Sequence, residues 1–236
     1  GVLAAWAYHR TGEPLPSGPE DTTRSFGSLL AFYVPLSLTS IMALVSRPVL
    51  AFGISRSVQP LESLATWPVI NGLLFLFTSV ALSYQEAVIA KMSENRDNAP
   101  VLRRFGLVLT AILTAVFVSI ALTDLSRLWF ERVAGLESAL VALARPAMVV
   151  LVITPLAVTA RSLFSGMLVS REKTVFLSIA VLCNTFVLLL LVITLPRLTS
   201  LVGTVVAAIA FGAANTVQSS VLWAGNTIAR RRGNAD

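Results

Sequence analysis

Residues 174–195 read TVFLSIAVLCNTFVLLLLVITL and contain no charged side chain. A helix needs roughly 20 mostly apolar residues to cross the hydrocarbon core of a bilayer, so this stretch predicts a transmembrane helix. Stretches of similar character occupy residues 27–54, 62–90, 103–123, 138–169 and 198–229. The sequence therefore predicts an all-α integral membrane protein with six membrane-spanning helices.

The composition agrees with this fold class. Apolar residues make up 56% of the 236 residues, charged residues make up 13%, and the mean hydropathy is +0.80. A soluble domain carries about 25% charged residues, so these values exclude a soluble enzyme, a disordered chain and a nucleic-acid-binding protein. The net charge of +6 is then interpreted as charge on membrane-protein loops. Cys183 and His9 are single residues of their types, so we expect no disulfide framework, zinc site or other cofactor.

Two segments precede the first predicted span, and one follows the last. Residues 1–8, GVLAAWAY, are too short to cross a membrane and are interpreted as the end of a preceding transmembrane helix. Residues 9–26 combine prolines and glycines with polar residues, which is typical of a linker. Residues 230–236 form a basic tail. Because Gly1 begins the chain, we expect a processed product or a fragment of a longer protein.

The distribution of Lys and Arg predicts the orientation in the membrane. One side collects the linker, the loops after residues 90 and 169, and the C-terminus, and it carries most of these cations. By the positive-inside rule this side is predicted to be cytoplasmic, in the cell inner (plasma) membrane. Residues 126–136, between the third and fourth spans, mix apolar and charged side chains and predict a short interfacial helix.

Polar side chains inside the spans are the candidate functional residues, because a charge is costly to bury in a bilayer. Arg47, Asn71 and Arg145 lie at similar distances, about 10 to 14 Å, from the predicted outer ends of three helices. If they face inward, they line a cavity with two positive charges, which suits a carboxylate or phosphate substrate group. The alternatives are snorkelling to the outer headgroups, or structural ion pairs with Glu137 or Glu62.

Arg161, Glu86 and Asn184 are secondary candidates. Arg161 lies nearer the inner side, where it either contacts substrate, anchors the helix or pairs with Glu86. Asn184, like the amides of the last span, is also explained by hydrogen bonds between helices. The prolines within the spans are either ordinary membrane-helix prolines or hinges of a moving protein: Pro35, Pro48, Pro68, Pro146 and Pro155.

Two stretches resemble a known superfamily. FYVPLSLTSIMALVSRPVLAFGISR, residues 32–56, followed by LESLATWPV, resembles the opening of a repeat half in the multidrug/oligosaccharidyl-lipid/polysaccharide exporters. ARPAMVVLVITPLAVTARSLFSGMLVSREKT, residues 144–174, is similar to the fourth helix of such a half, through Pro155, Arg161 and Gly166. Within this superfamily, which includes the multidrug and toxic compound extrusion (MATE) transporters, the chain most resembles bacterial relatives of the progressive ankylosis protein.

The resemblance implies a six-helix C-terminal lobe, residues 27–229, with the N-terminal lobe or a second subunit as its partner. It implies a secondary active transporter, antiporter or flippase that works by alternating access on an anionic small molecule or a lipid-linked substrate. The alternative is a non-transporting membrane scaffold or assembly subunit, in which Arg47 and Arg145 face partners or headgroups. An enzyme is not expected, because no nucleophile and base occur at matching depth.

Overall fold

The structure is a computed structural model, and it describes residues 44–171 and 173–232. These residues are almost entirely helical, and no strand occurs among them. Five helical spans are long and apolar enough to cross a membrane. The predicted stub 1–8, the linker 9–26, the start of the first span with Pro35, and residues 233–236 lie outside the described residues.

The described helices are, in chain order, α1 Leu44–Ser55, α2 Pro60–Glu94, α3 Ala99–Leu122, α4 Leu125–Arg127, α5 Ser138–Val150, α6 Thr154–Val169, α7 Val175–Leu198 and α8 Gly203–Arg232. The short α4 continues directly into a π-helical turn, Leu128–Val133, and a 3-10 turn, Leu151–Ile153, separates α5 from α6.

Five of the six predicted spans are confirmed as helices of membrane-spanning length and hydropathy. Of the first, residues 44–54 are described, and they are helical together with Ser55. Within the predicted short helix 126–136, residues 126–133 are helical, in α4 and its π turn, and residues 134–136 are not. Several boundaries differ from prediction by three to five residues. Helix α2 ends four residues later than expected, α3 begins four residues earlier, and α8 begins five residues later. Helix α7 continues through Pro196 to Leu198, and α8 includes residues 230–232, which were assigned to the tail.

The span 138–169 is interrupted at its centre. Pro155 lacks the N–H that would bond the carbonyl of Leu151, so the α-helical ladder cannot continue through this point. The backbone tightens there into the 3-10 turn Leu151–Ile153. Pro48, Pro68 and Pro146 instead lie inside α1, α2 and α5.

Helix α8 packs against α5, α6 and α7, and α2 packs against α5 and α6. Helices α3 and α7 are peripheral, because only 22% of the residues in the apolar window of each helix are buried. At one end of the bundle, the α1–α2 connection meets the α7–α8 connection through backbone hydrogen bonds. Val58 N–H donates to the Leu201 carbonyl at 3.3 Å, and Gly203 N–H donates to the Val58 carbonyl at 3.1 Å.

Helices α2 and α3 are joined by a buried hydroxyl. Tyr84 is 3% exposed, and its hydroxyl donates to the Leu102 carbonyl at 2.7 Å. The Cβ of any larger residue at Gly106 would collide with this hydroxyl, so the glycine allows the contact.

We expect Tyr84→Phe to lower the melting temperature of the purified protein by about 2 to 4 °C, the effect of losing roughly 1 kcal/mol of hydrogen bonding. Thermal unfolding in detergent micelles measures this effect. The control is Ser83→Ala, because Ser83 is exposed and its hydroxyl bonds only within its own helix, to the Ser79 carbonyl. Equal melting temperatures for wild type and Tyr84→Phe would contradict the expectation.

Candidate functional site

A cavity of about 560 Å³ lies between α1, α2, α6, α7 and α8. This volume is within the range of small-molecule sites, roughly 300 to 1,000 Å³. Apolar walls come from residues such as Trp67, Leu188 and Phe211. The charged and amide side chains that line the cavity are Arg47, Asn71, Arg161, Asn184, Asn215 and Gln218.

These polar groups lie deep in the bundle. Asn71 is eleven residues from the start of α2 and Asn215 is twelve from the start of α8, which correspond to about 16 and 18 Å along the helix axes. A helix needs roughly 20 residues to cross the hydrocarbon core of a bilayer, so both amides lie well inside their spans and not at the helix ends. Polar side chains at this depth usually face a protein interior or a water-filled path.

Arg161 is held in place by an amide on the neighbouring helix. Its Nη1 donates to Asn215 Oδ1 at 3.2 Å, and Asn215 Nδ2 donates to the Phe211 carbonyl at 2.9 Å. Asn215 is only 4% exposed, so its orientation is fixed by the packing of α6 on α8. The arrangement presents one end of a planar guanidinium to the cavity, in the form that binds carboxylate or phosphate best.

The predicted alternative of an Arg161–Glu86 pair does not occur among the described side chains. Glu86 is exposed on α2, whereas Thr78 of the same helix lines the cavity with Arg161. Glu86 is eight positions beyond Thr78, about 12 Å along α2, and it does not line the cavity.

Arg47 lies on α1, is exposed, and lines the same cavity as Asn71. The structure therefore brings these two predicted site residues together, and it adds Arg161 and Asn184 to them. Among the described residues that line the cavity there are two cations and no carboxylate. A cavity of one charge sign with apolar walls concentrates ions of the opposite sign, here anions.

Arg145 is placed elsewhere. Its Nη2 is 3.8 Å from Asp124 Oδ1, beyond the end of α3, and it is not among the residues that line the cavity. Its partner also differs from the two carboxylates considered from the sequence.

The sequence favoured interhelical hydrogen bonds over a binding role for Asn215 and Gln218. Their spacing contains a signal that could have identified them, because Phe211, Ala214, Asn215 and Gln218 follow the i, i+3, i+4, i+7 pattern of one helix face. Asn71 begins the same pattern on α2, where Leu74, Phe75 and Thr78 also line the cavity.

Comparison of the chain with protein-family models, with curated proteins and with solved structures found no match. The class of protein is therefore inferred from the fold and the cavity alone. The chain has the features of a multi-pass, all-α membrane protein. Five of its helices line a cavity whose described charged lining is cationic.

Proposed function

We propose that this chain is the C-terminal lobe of a MATE-like secondary active transporter or flippase. It moves an anionic solute or a lipid-linked anionic substrate across the inner membrane by alternating access. The N-terminal lobe or a second subunit completes the path, and the linker and C-terminus are cytoplasmic. The observation that supports the proposal is the cavity lined by Arg47, Arg161 and four amides.

The polar content of the cavity favours transport over a purely structural role. A helix bundle that only anchors partners needs few polar groups, because each one is costly in the bilayer. Here six charged or amide side chains from five helices converge on one space. Guanidinium groups supply charge for an anion, while Asn and Gln offer both donors and acceptors for the rest of a substrate.

The bundle also contains points at which helices can bend. The 3-10 turn Leu151–Ile153 interrupts the span that carries Arg161, and Pro68 lies inside α2 next to the cavity. Breaks of these two kinds are the usual causes of helix kinks. They support a mechanism in which helix halves move while the polar groups keep their places around the substrate.

Thiol labelling tests the proposal without knowledge of the substrate. We expect a Thr78→Cys thiol, in a Cys183→Ser background, to react with membrane-impermeant methanethiosulfonate reagents added from either side of the membrane. Thr78 lines the cavity and is close in size to cysteine. After division by each reagent's rate with a free thiol in solution, the anionic sulfonate reagent should react about tenfold faster than the cationic ammonium reagent, because a cationic cavity concentrates anions.

Ala115→Cys is the control. Ala115 is exposed on the peripheral α3, two residues from Phe117, whose ring contacts that of Phe77 next to Thr78, so it should stay unreactive in lipid at a similar depth. A non-transporting scaffold has no need of a path, so access from one side only, or from neither, would favour that alternative. Equal normalised rates of the two reagents at Thr78→Cys would remove the argument for an anionic substrate.

A further inference from the structure

A second concave surface lies on the opposite side of α6 and α8 from the cavity. One part, of about 380 Å³, is enclosed by α3, α6 and α8, and an adjoining part has about 210 Å³. We call the two together the peripheral groove, because they share four lining residues: Leu156, Ala160, Phe164 and Trp223. Its rim includes Leu107, which is 69% exposed, so the groove opens toward the lipid.

The groove is polar at one end and largely apolar along the rest. Arg103, in the second turn of α3, lies at the polar end with Asn226 and Thr227 near the end of α8. Along α6 the groove extends from Ile153 to Phe164, about 16 Å. This is about half of the roughly 30 Å core, so the groove has the length of one leaflet with its polar end at headgroup level.

Asn226 indicates that the polar end receives a ligand. The residue is 2% exposed, and its Oδ1 has no hydrogen-bond partner among the described residues. Its Nδ2 only approaches Met167 Sδ, at 3.8 Å. A buried acceptor without a donor is costly and therefore rare, which points to a donor supplied from outside the chain. Arg103, at the same end, forms no ion pair within the described part of the chain.

We propose that the peripheral groove binds one phospholipid of the phosphatidylethanolamine type. The phosphodiester pairs with the Arg103 guanidinium, the headgroup ammonium donates to Asn226 Oδ1, and an acyl chain lies between Leu107 and Phe164. A cation and an unsatisfied acceptor at one end of an apolar groove match a phosphate next to an N–H donor. This lipid site does not depend on which substrate, if any, binds in the cavity.

Photolabelling tests the proposal on the full chain in vesicles that contain equal amounts of phosphatidylethanolamine and phosphatidylcholine. Traces of either lipid carry the same mid-chain diazirine. The two headgroups share the phosphate and a positive charge, but the choline group has no N–H donor. We expect labelling of groove residues on α3 and α6 to be about fivefold greater with the ethanolamine lipid, because one charged hydrogen bond distinguishes them.

Adjacent arginines give a matched pair of variants. Arg103→Gln should reduce groove labelling by both lipids about fivefold, because both lose the phosphate contact. Arg104→Gln should leave it unchanged, because Arg104 is exposed and does not line the groove. Asn226→Leu should abolish the preference for ethanolamine while labelling by the choline lipid continues. Ala160→Trp should block labelling by both lipids without altering the polar end.

Three results would overturn the proposal. One is labelling at the exposed Val108 and Ile112 equal to that in the groove, which is the pattern of unselective boundary lipid. Another is equal labelling by the two lipids in the wild type. The third is no groove labelling at all, as expected if a protein segment covers the groove.

Discussion

Replacing Arg161 with glutamine is expected to lower the affinity of the purified protein for pyrophosphate, used as an anionic probe, by about 30-fold. A hydrogen bond to a charged group contributes roughly 1.5 to 3 kcal/mol, which corresponds to a factor of about 10 to 150 in affinity. Stability should change little, because glutamine keeps a donor for Asn215 Oδ1 and removes a half-buried charge. Isothermal titration and thermal unfolding in detergent measure the two quantities.

Two further variants make this test specific to the cavity. Arg161→Lys keeps the charge but loses the planar fork, so we expect an intermediate loss of about fivefold. Arg145→Gln should leave the affinity unchanged, because Arg145 lies beside Asp124 and outside the cavity. Equal losses in Arg145→Gln and Arg161→Gln, or no binding of pyrophosphate by the wild type, would contradict a pyrophosphate site at Arg161.

The largest expected effect on folding comes from Gly166 of α6, where α2 approaches most closely. A Cβ at this position would lie 2.7 Å from Val88 Cγ1 and 3.1 Å from the Gln85 carbonyl oxygen. Val88 is fully buried, and a backbone carbonyl cannot move aside without displacing its helix. Overpacking of this kind costs about 1 to 3 kcal/mol, so Gly166→Leu should lower the melting temperature by roughly 2 to 12 °C.

Gly72→Leu is the matched control for this substitution. Gly72 is also a helical glycine, but nothing lies within 4 Å of a Cβ built there. Both substitutions relieve the same unfavourable helix propensity of glycine, so only the steric term differs between them. Comparable melting temperatures for the two variants would show that α2 and α6 can separate at Gly166 without penalty.

The sequence predicted the spans well because their signal is local. An uncharged apolar run determines both the existence and the approximate ends of a helix such as α7, expected at 174–195 and observed as Val175–Leu198. It also gave the distance of Arg47 and Asn71 along their helices, and both line the cavity. The direction in which a side chain points around its helix depends on how neighbouring helices pack. The sequence therefore grouped Arg145 with Arg47 and Asn71, although Arg145 does not line the cavity.

Other parts of the site depend on contacts that no single helix encodes. The Arg161–Asn215 hydrogen bond joins residues 54 positions apart, so it exists only once α6 and α8 are packed together. The unpaired Asn226 Oδ1 is equally invisible in the sequence, where this residue resembles any other amide of a membrane helix. Helical periodicity distinguishes the two faces of α6 in the sequence. It does not predict which face lines the cavity and which lines the peripheral groove.

The backbone pairing of Val58 with residues 201–203 has a mechanical consequence. These hydrogen bonds hold the α1–α2 connection against the α7–α8 connection at one end of the bundle. Helices that tilt relative to one another would therefore pivot about this end, which acts as a common fulcrum. Thr78 is 18 residues from the pinned start of α2, a lever arm of about 27 Å. A tilt of about 10° about the fulcrum would carry Thr78 through about 5 Å. Splaying therefore widens the cavity first at the end farthest from Val58.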